Sequence, residues 1–147
     1  MTAQDHKNKR AAAKRYRDMG NSAFIDERYD DAITYYTQAL SRDENDFVCY
    51  SNRSAAYLKK NELINALEDA GKCIAIQPKY NKGHIRRVAV YHTMEEFDDA
   101  ISAYKEGLKH CPDDKTLQMG LKAATKKKER QAAMKPGKGK PLGSFRF

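Results

Sequence analysis

The sequence is poor in tryptophan, cysteine and proline. It has no tryptophan and only three cysteines and four prolines in 147 residues. Cys49, Cys73 and Cys111 are odd in number and form no Cys-x-x-Cys pair, so neither a disulfide framework nor a zinc finger is predicted. We expect three reduced thiols that pack as small, weakly polar side chains.

Long apolar runs are also absent. No stretch of about 18 apolar residues occurs, so the sequence predicts no transmembrane helix. The first ten residues are polar and basic with no apolar segment behind them, which argues against a secretory signal. Together these absences leave the cytosol or the nucleus, and we expect a cytoplasmic protein.

Positive charge is concentrated at the C-terminal end. The formal net charge is +8, but residues 13–114 hold fifteen bases and eighteen acids, whereas residues 115–147 hold ten bases and one acid. A nucleic-acid-binding function for the whole chain is therefore not favoured. We predict a disordered basic tail over 134–147. A tail that is simply solvated is the favoured interpretation. Binding of the tail to nucleic acid or to an anionic membrane stays an alternative.

A period of 34 residues runs through the middle of the chain. Ala32, Ala66 and Ala100 share this spacing. Further columns have the same period: Tyr16 with Tyr50 and His84, and Leu40 with Ile74 and Leu108. Within each unit the apolar residues recur at intervals of three and four, which is typical of amphipathic helices. The sequence therefore predicts an all-α fold of helical hairpins, which must stack because neither helix can bury its apolar stripe alone.

These columns resemble the pattern of the tetratricopeptide repeat family, in which small residues, aromatics and proline recur in a 34-residue unit. The resemblance implies three helical hairpins stacked right-handed, over 13–46, 47–80 and 81–114, after a basic N-terminal extension over 1–12. A capping helix is expected over 115–133, which makes seven helices. Four positions depart from the family pattern: Ala23, Glu44, Ala70 and Val88.

The first helix of each hairpin is expected to line the concave side of such a stack. On that face Arg17 lies four residues before Asn21, so both project from one side of their helix. Lys82 and Arg86 have the same spacing, and Asn52 lies on the helix between the two pairs. Cations on both sides of two amides form a set of donors suited to a carboxylate. Phosphate is less favoured, because no glycine-rich loop or helix N-terminus is expected there.

These five positions also resemble the carboxylate clamp of co-chaperone tetratricopeptide domains. Four of them match the family's residue types, and Arg17 stands where the family has lysine. Neighbouring stretches resemble the first tetratricopeptide domain of the heat-shock organizing family. The resemblance implies a co-chaperone adaptor that binds the Glu-Glu-Val-Asp C-terminal peptides of heat shock protein 70, heat shock protein 90 or both. It also implies a pocket for a peptide side chain, formed by Phe24, Ala55, Leu58, Lys59 and Ile85.

No catalytic constellation is evident in the sequence. The four histidines are scattered, and His84 lies in a column that is otherwise aromatic, so it is predicted to be a packing ring. No serine, cysteine or lysine has a recognisable activating neighbour. We therefore expect no enzyme activity, cofactor, metal site or small-molecule substrate. The alternative function is a tetratricopeptide scaffold for another protein, whose basic tail contacts nucleic acid or an anionic membrane.

Overall fold

Residues 1–134 form seven α-helices. The computed structural model describes residues 1–134, and no strand occurs in that range. The helices are α1 (Ala3–Ile25), α2 (Tyr29–Arg42), α3 (Phe47–Lys59), α4 (Leu63–Ile76), α5 (Asn81–Thr93), α6 (Phe97–His110) and α7 (Lys115–Met134). The predicted all-α class with seven helices is confirmed. The predicted tail at 134–147 lies outside the described residues except for Met134, which is the last residue of α7.

Consecutive helices form three hairpins. α1 packs against α2, α3 against α4 and α5 against α6. The hairpins stack through α2 with α3 and through α4 with α5, and α7 packs on α6. α3 also contacts both α1 and α5, so the first helices of the three hairpins share one side of the stack.

The turn inside each hairpin has the same backbone conformation. Glu27, Asn61 and Glu95 have φ of 61°, 61° and 60°, in the left-handed region that few residues other than glycine and asparagine adopt. The amide after each of them donates to the carbonyl five residues before it: Arg28 to Ala23, Glu62 to Tyr57 and Glu96 to Tyr91. The three turn residues are 34 apart, so the period of the sequence is also a period of the backbone.

Small residues occupy the points at which helices cross. The alanines that carry the repeat are all fully buried: Ala32, Ala66 and Ala100. A Cβ at Gly20 would lie 2.6 Å from the Tyr36 ring, and a Cβ at Gly83 would lie 2.9 Å from a buried sulfur of α4. Glycine is needed at both positions, because any side chain would separate α1 from α2 and α5 from α4.

Local caps define where the first and last helices begin. Thr2 and Asp5 form a reciprocal capping box, in which each side chain accepts from the backbone amide of the other. α1 therefore begins at Ala3, and the basic stretch over 1–12 is continuous with the first helix. Before α7, the Asp114 carboxylate accepts from the amide of Leu117, which is fully buried.

All three cysteines are free. Cys49 and Cys73 are fully buried, and burial raises the pKa of the Cys49 thiol to about 12 and that of Cys73 to about 11. Both thiols are therefore protonated at neutral pH. Across residues 1–134, no helix is long and apolar enough to cross a membrane, and no three His, Cys, Asp or Glu side chains are grouped to hold a metal ion.

A buried ion pair joins the two helices of the second hairpin, and a further hydrogen bond connects it to the first hairpin. Arg53 of α3 donates from Nε to one oxygen of Asp69 at 2.7 Å and from Nη2 to the other at 2.8 Å. Its Nη1 donates to Thr37 Oγ1 of α2 at 3.1 Å. The Arg53 and Asp69 side chains are 13% and 3% exposed. This guanidinium therefore finds a bidentate carboxylate and a hydroxyl inside the protein.

Candidate functional site

An open pocket lies between the first helices of the three hairpins. Its volume is about 650 Å³, and Tyr36 of α2 and Tyr80, which precedes α5, complete its wall. The lining residues are Asn21, Phe24, Ile25, Tyr36, Val48, Asn52, Ala55, Leu58, Lys59, Tyr80, Lys82 and Arg86. Three of them are cations and none is a carboxylate, so the pocket attracts an anion.

Three side chains of the pocket form a hydrogen-bonded chain. The Tyr36 hydroxyl donates to Asn21 Oδ1 at 2.6 Å, and the Asn52 amide donates to the same oxygen at 3.0 Å. Because this oxygen already accepts two hydrogen bonds, the Asn21 side chain has only N–H groups left for a ligand. Tyr36 is 1% exposed, so packing holds its hydroxyl in place. Three helices together orient the two amides.

Arg86 is a partly buried cation with no carboxylate partner among residues 1–134. Its Nε donates to the Ser51 carbonyl of α3 at 3.2 Å, and its other N–H groups have no acceptor in that range. Burial lowers the pKa of the Arg86 guanidinium, and the nearby Tyr80 and Cys73 oppose this effect. Arginine remains charged at neutral pH, so the pocket contains a desolvated cation with free donors.

Two exposed lysines add to this charge. Lys82 of α5 and Lys59 of α3 both line the pocket, and neither forms an ion pair within the described residues. Lys82 and Arg86 are four residues apart on α5, so the two cations reach the same space. Gly83 fixes where this end of α5 lies, because its backbone is in close contact with α4.

The opposite part of the pocket is apolar. Phe24 and Ile25 at the end of α1 line it together with Leu58 of α3. The Phe24 ring packs edge-on against Tyr29 with centroids 5.3 Å apart, whereas Ile25 is 79% exposed. An apolar group of a ligand gains free energy by covering this surface. The pocket therefore suits a ligand with an anionic end and an apolar side chain beside it.

Comparison with known proteins gives the family. A model of the tetratricopeptide repeat matches residues 13–46. The chain is 39% identical over 110 residues to Hsp70-Hsp90 organizing protein 3 of Arabidopsis thaliana, which covers 75% of this chain and 20% of that protein. It is 30% identical to the Sgt2 TPR domain from Aspergillus fumigatus, with a TM-score of 0.76 over 84% of this chain and 85% of that one. This chain belongs to the tetratricopeptide repeat family.

A second solved structure of the tetratricopeptide family contains a bound peptide. It is the second TPR of Spaghetti (RPAP3) bound to HSP90 peptide SRMEEVD. It is 27% identical to this chain, with a TM-score of 0.67 over 71% of this chain and 96% of that one. This chain spans only 20% of the length of the organizing protein, so it corresponds to one part of that relative.

The tetratricopeptide stack brings eight of the ten predicted site residues into the pocket. They are Asn21, Phe24, Asn52, Ala55, Leu58, Lys59, Lys82 and Arg86. Ile85 does not line the pocket and instead packs against the core cluster that contains Val88 and Tyr104. A residue one position before Arg86 is turned by about 100° around the helix, which directs it toward α6 and α7.

Arg17 is the other predicted residue that does not line the pocket. Its Nη1 donates to Asp46 Oδ2 at 2.8 Å, and the two side chains are 26% and 10% exposed. The two atoms have the geometry of a short charge-assisted hydrogen bond, which offsets the cost of removing both groups largely from water. Sequence reasoning treated Arg17 as a free cation and did not consider a carboxylate 29 residues away in the next turn.

The sequence-based prediction omitted Tyr36 and Tyr80, which both line the pocket. A signal for Tyr36 exists, since a tyrosine at a buried helix position needs a partner for its hydroxyl, and a neighbouring asparagine provides one. Tyr80 carries no comparable signal. Its position depends on how the turn before α5 packs, where its ring lies against Phe47 with centroids 5.1 Å apart.

Proposed function

We propose that this chain is a co-chaperone adaptor whose pocket binds the acidic C-terminal peptides of heat shock proteins 70 and 90. One observation carries the proposal: the pocket combines three cations and two oriented amides, and residues 1–134 place no carboxylate in its lining. Such donors bind the oxygens of a terminal carboxylate and leave cations for an acidic side chain next to it.

Similar proteins support the choice of ligand. The Spaghetti domain holds an HSP90 peptide of sequence SRMEEVD, and the Arabidopsis relative is named for both Hsp70 and Hsp90. That peptide ends in an aspartate preceded by a valine and two glutamates. Its carboxylates complement the cations of the pocket, and its valine complements the apolar part formed by Phe24 and Leu58.

In the proposed complex the polar side chains of the pocket bind different carboxylates of the peptide. Asn21, Asn52 and Arg86 donate to the terminal carboxylate, and Lys82 pairs with the carboxylate of the last aspartate. Lys59 faces the preceding glutamates. We retain Arg17 as a proposed fifth member of the clamp, although its side chain forms an ion pair with Asp46.

The proposed role is that of a non-enzymatic, cytoplasmic adaptor. Its action consists of binding and release, and no step requires a covalent bond to form or break. The pocket crosses all three proposed repeat units, 13–46, 47–80 and 81–114, so the ligand bridges helices that are far apart in the sequence. Stacking and ligand binding are therefore properties of the array and not of one repeat.

Calorimetric titration with the peptide SRMEEVD tests the proposal. Charge-assisted hydrogen bonds contribute about 1.5–3 kcal/mol each, and ordering a flexible peptide offsets part of this gain, so we expect a Kd on the order of 1 μM. Lys82→Ala should weaken binding by about tenfold or more. Lys105→Ala is the matched control, because Lys105 is an exposed lysine of α6 outside the pocket.

Changes to the peptide separate carboxylate recognition from general attraction between charges. Amidation of the terminal carboxylate should nearly abolish binding, whereas a peptide with the same composition but a scrambled order keeps the net charge and should bind weakly. Added salt should weaken the native peptide because the cations are partly exposed. Equal binding of free and amidated peptides, or equal loss in the Lys82 and Lys105 variants, would contradict the proposal.

A further inference from the structure

The ion pair between Arg17 and Asp46 lies at the edge of the pocket. Arg17 is one helical turn before Asn21 on α1. Asp46 precedes Phe47, whose ring packs against the pocket residue Tyr80. Both charges also act on the Tyr80 hydroxyl, since Arg17 lowers its pKa and Asp46 raises it within a net rise caused by burial. The pair is therefore within electrostatic reach of any ligand in the pocket.

Asp46 is held in this position by two separate contacts. Its Oδ2 accepts from Arg17 at 2.8 Å, and its Oδ1 accepts from the Cys49 backbone amide at 3.0 Å as the N-cap of α3. The side chain is 10% exposed. Because the cap anchors the carboxylate to α3, the negative charge stays beside Arg17 whether or not the pocket is occupied.

The other ion pair of α1 is different. Lys14 and Asp18 are four residues apart on the helix surface, and their side chains are 68% and 55% exposed. Water and salt screen such a pair, so either partner is readily released. The Arg17–Asp46 pair is mostly buried and is held by a helix cap, so Arg17 is much less available than an exposed lysine on the same helix.

We propose that Asp46 is an internal competitor of the ligand, which limits the affinity of the pocket for acidic C-termini by occupying Arg17. This inference rests on the proposed function and adds a residue that sets its strength. The ligand carboxylate must share Arg17 with Asp46 or draw Arg17 away from it, whereas Lys59, Lys82 and Arg86 have no competing carboxylate in residues 1–134. Arg17 therefore contributes little to binding while Asp46 is present.

Titration of SRMEEVD into Asp46→Asn tests this inference. Asparagine is as good an N-cap as aspartate, so α3 keeps its cap while Arg17 loses its partner. We expect binding to tighten by about tenfold, the effect of one added charge-assisted hydrogen bond. Asp46→Ser also caps a helix and serves if the asparagine variant does not fold, as judged by thermal unfolding. It should tighten binding in the same way.

Two controls separate release of Arg17 from loss of a negative charge. Asp18→Asn changes the net charge equally but leaves the Arg17 pair intact, so its effect should be several-fold smaller. In an Arg17→Ala background, Asp46→Asn should give no gain. A gain that persists without Arg17, or one that Asp18→Asn reproduces, would overturn the inference.

The same titrations distinguish failure of this inference from failure of the proposed function. If the unmodified chain binds the peptide and Lys82→Ala loses it, but Asp46→Asn brings no gain, only the role of Asp46 is wrong. If the unmodified chain and Asp46→Asn both fail to bind, the proposed function is wrong and the inference fails with it. Tighter binding by Asp46→Asn that depends on Arg17 supports both.

Discussion

Arg53 and Arg86 are two largely buried arginines on successive first helices of the stack. Arg53 has a bidentate carboxylate and a hydroxyl as acceptors. Among residues 1–134, Arg86 has one acceptor, the backbone carbonyl of Ser51. The difference follows from their direction. Arg53 points between α3 and α4, where Asp69 lies, whereas Arg86 points into a pocket to whose lining the described part of the chain contributes no carboxylate.

The comparison shows how the same residue type serves stability in one place and binding in another. A desolvated cation is unfavourable until its donors find acceptors. The chain itself supplies the acceptors for Arg53, so the pair belongs to the folded core. Within residues 1–134 Arg86 has only the Ser51 carbonyl as an acceptor. We therefore expect part of the binding free energy to come from a ligand that accepts from its remaining N–H groups.

Breaking the Arg53–Asp69 ion pair should have the largest effect, which is a loss of stability. Asp69→Ala leaves the Arg53 guanidinium buried beside Thr37 without its carboxylate, which costs about 3–5 kcal/mol of unfolding free energy. Urea denaturation measures this loss. The double variant Arg53→Met, Asp69→Leu removes both charges and should recover most of the stability. A loss below about 1 kcal/mol in the single variant would mean that the pair is not structural.

Removing the Arg86 guanidinium should weaken peptide binding and leave the stability of the fold nearly unchanged. Arg86→Ala is expected to weaken the affinity for SRMEEVD by about tenfold or more, because donors to the carboxylate are lost. Its unfolding free energy should change by less than about 1 kcal/mol, since no buried carboxylate is left unpaired. Calorimetry and denaturation on the same sample give both numbers. A variant that unfolds as readily as Asp69→Ala would remove the distinction between the two arginines.

A buried histidine extends the comparison to pH. His84 is fully buried, its Nε2 bonds the Pro78 carbonyl at 2.7 Å, and its Nδ1 has no partner in residues 1–134. Burial chiefly lowers its pKa, with Arg87 and His110 adding to the effect, while the Pro78 contact and Glu106 oppose it. The folded state therefore disfavours the protonated ring.

The sign of the pH dependence follows from this lowered pKa. Above the ordinary histidine pKa of about 6.5 the ring is neutral in both states, so burying it carries no penalty for a lost charge. Below that pH the unfolded chain binds a proton more readily than the folded chain, which favours unfolding. Stability should thus fall as pH drops below about 6.5. His84→Gln, which is neutral and able to donate to the same carbonyl, should flatten the slope of melting temperature against pH. Some slope should remain, because burial and Lys127 also lower the pKa of His92. An unchanged slope would exclude His84 as its source.

The smallest expected effect concerns the hairpin turns. Glu27 and Glu95 adopt the left-handed conformation that Asn61 adopts in the middle turn. Glu27→Gly should raise the unfolding free energy by up to about 1 kcal/mol, because glycine has no Cβ to strain this backbone. Asn61→Glu should lower it by a smaller amount, and binding of the peptide should not change in either variant. Equal stability of all three chains would show that the turns carry no strain.

Much of the fold was predictable because its signals are local and periodic. The interval of three and four between apolar residues defines each helix, and the 34-residue period defines the hairpin. The same periodicity explains why eight of ten predicted site residues meet in the pocket: residues in matching columns of α1, α3 and α5 lie on one side of the stack. Ile85 was predicted to lie on that side, but in the structure it packs against the core cluster of Val88 and Tyr104.

The sequence by itself determined the helices, their pairing and the face that holds the cations, because spacing along a helix decides which side a residue occupies. Only the tertiary structure decided which cations are free. Among the residues that the structure describes, Asp46 pairs with Arg17, Asp69 pairs with Arg53, and Arg86 has one backbone carbonyl as its acceptor. These choices depend on contacts between residues 16 to 35 positions apart, and electrostatic pairing over a few ångströms leaves no trace in the periodicity of the chain.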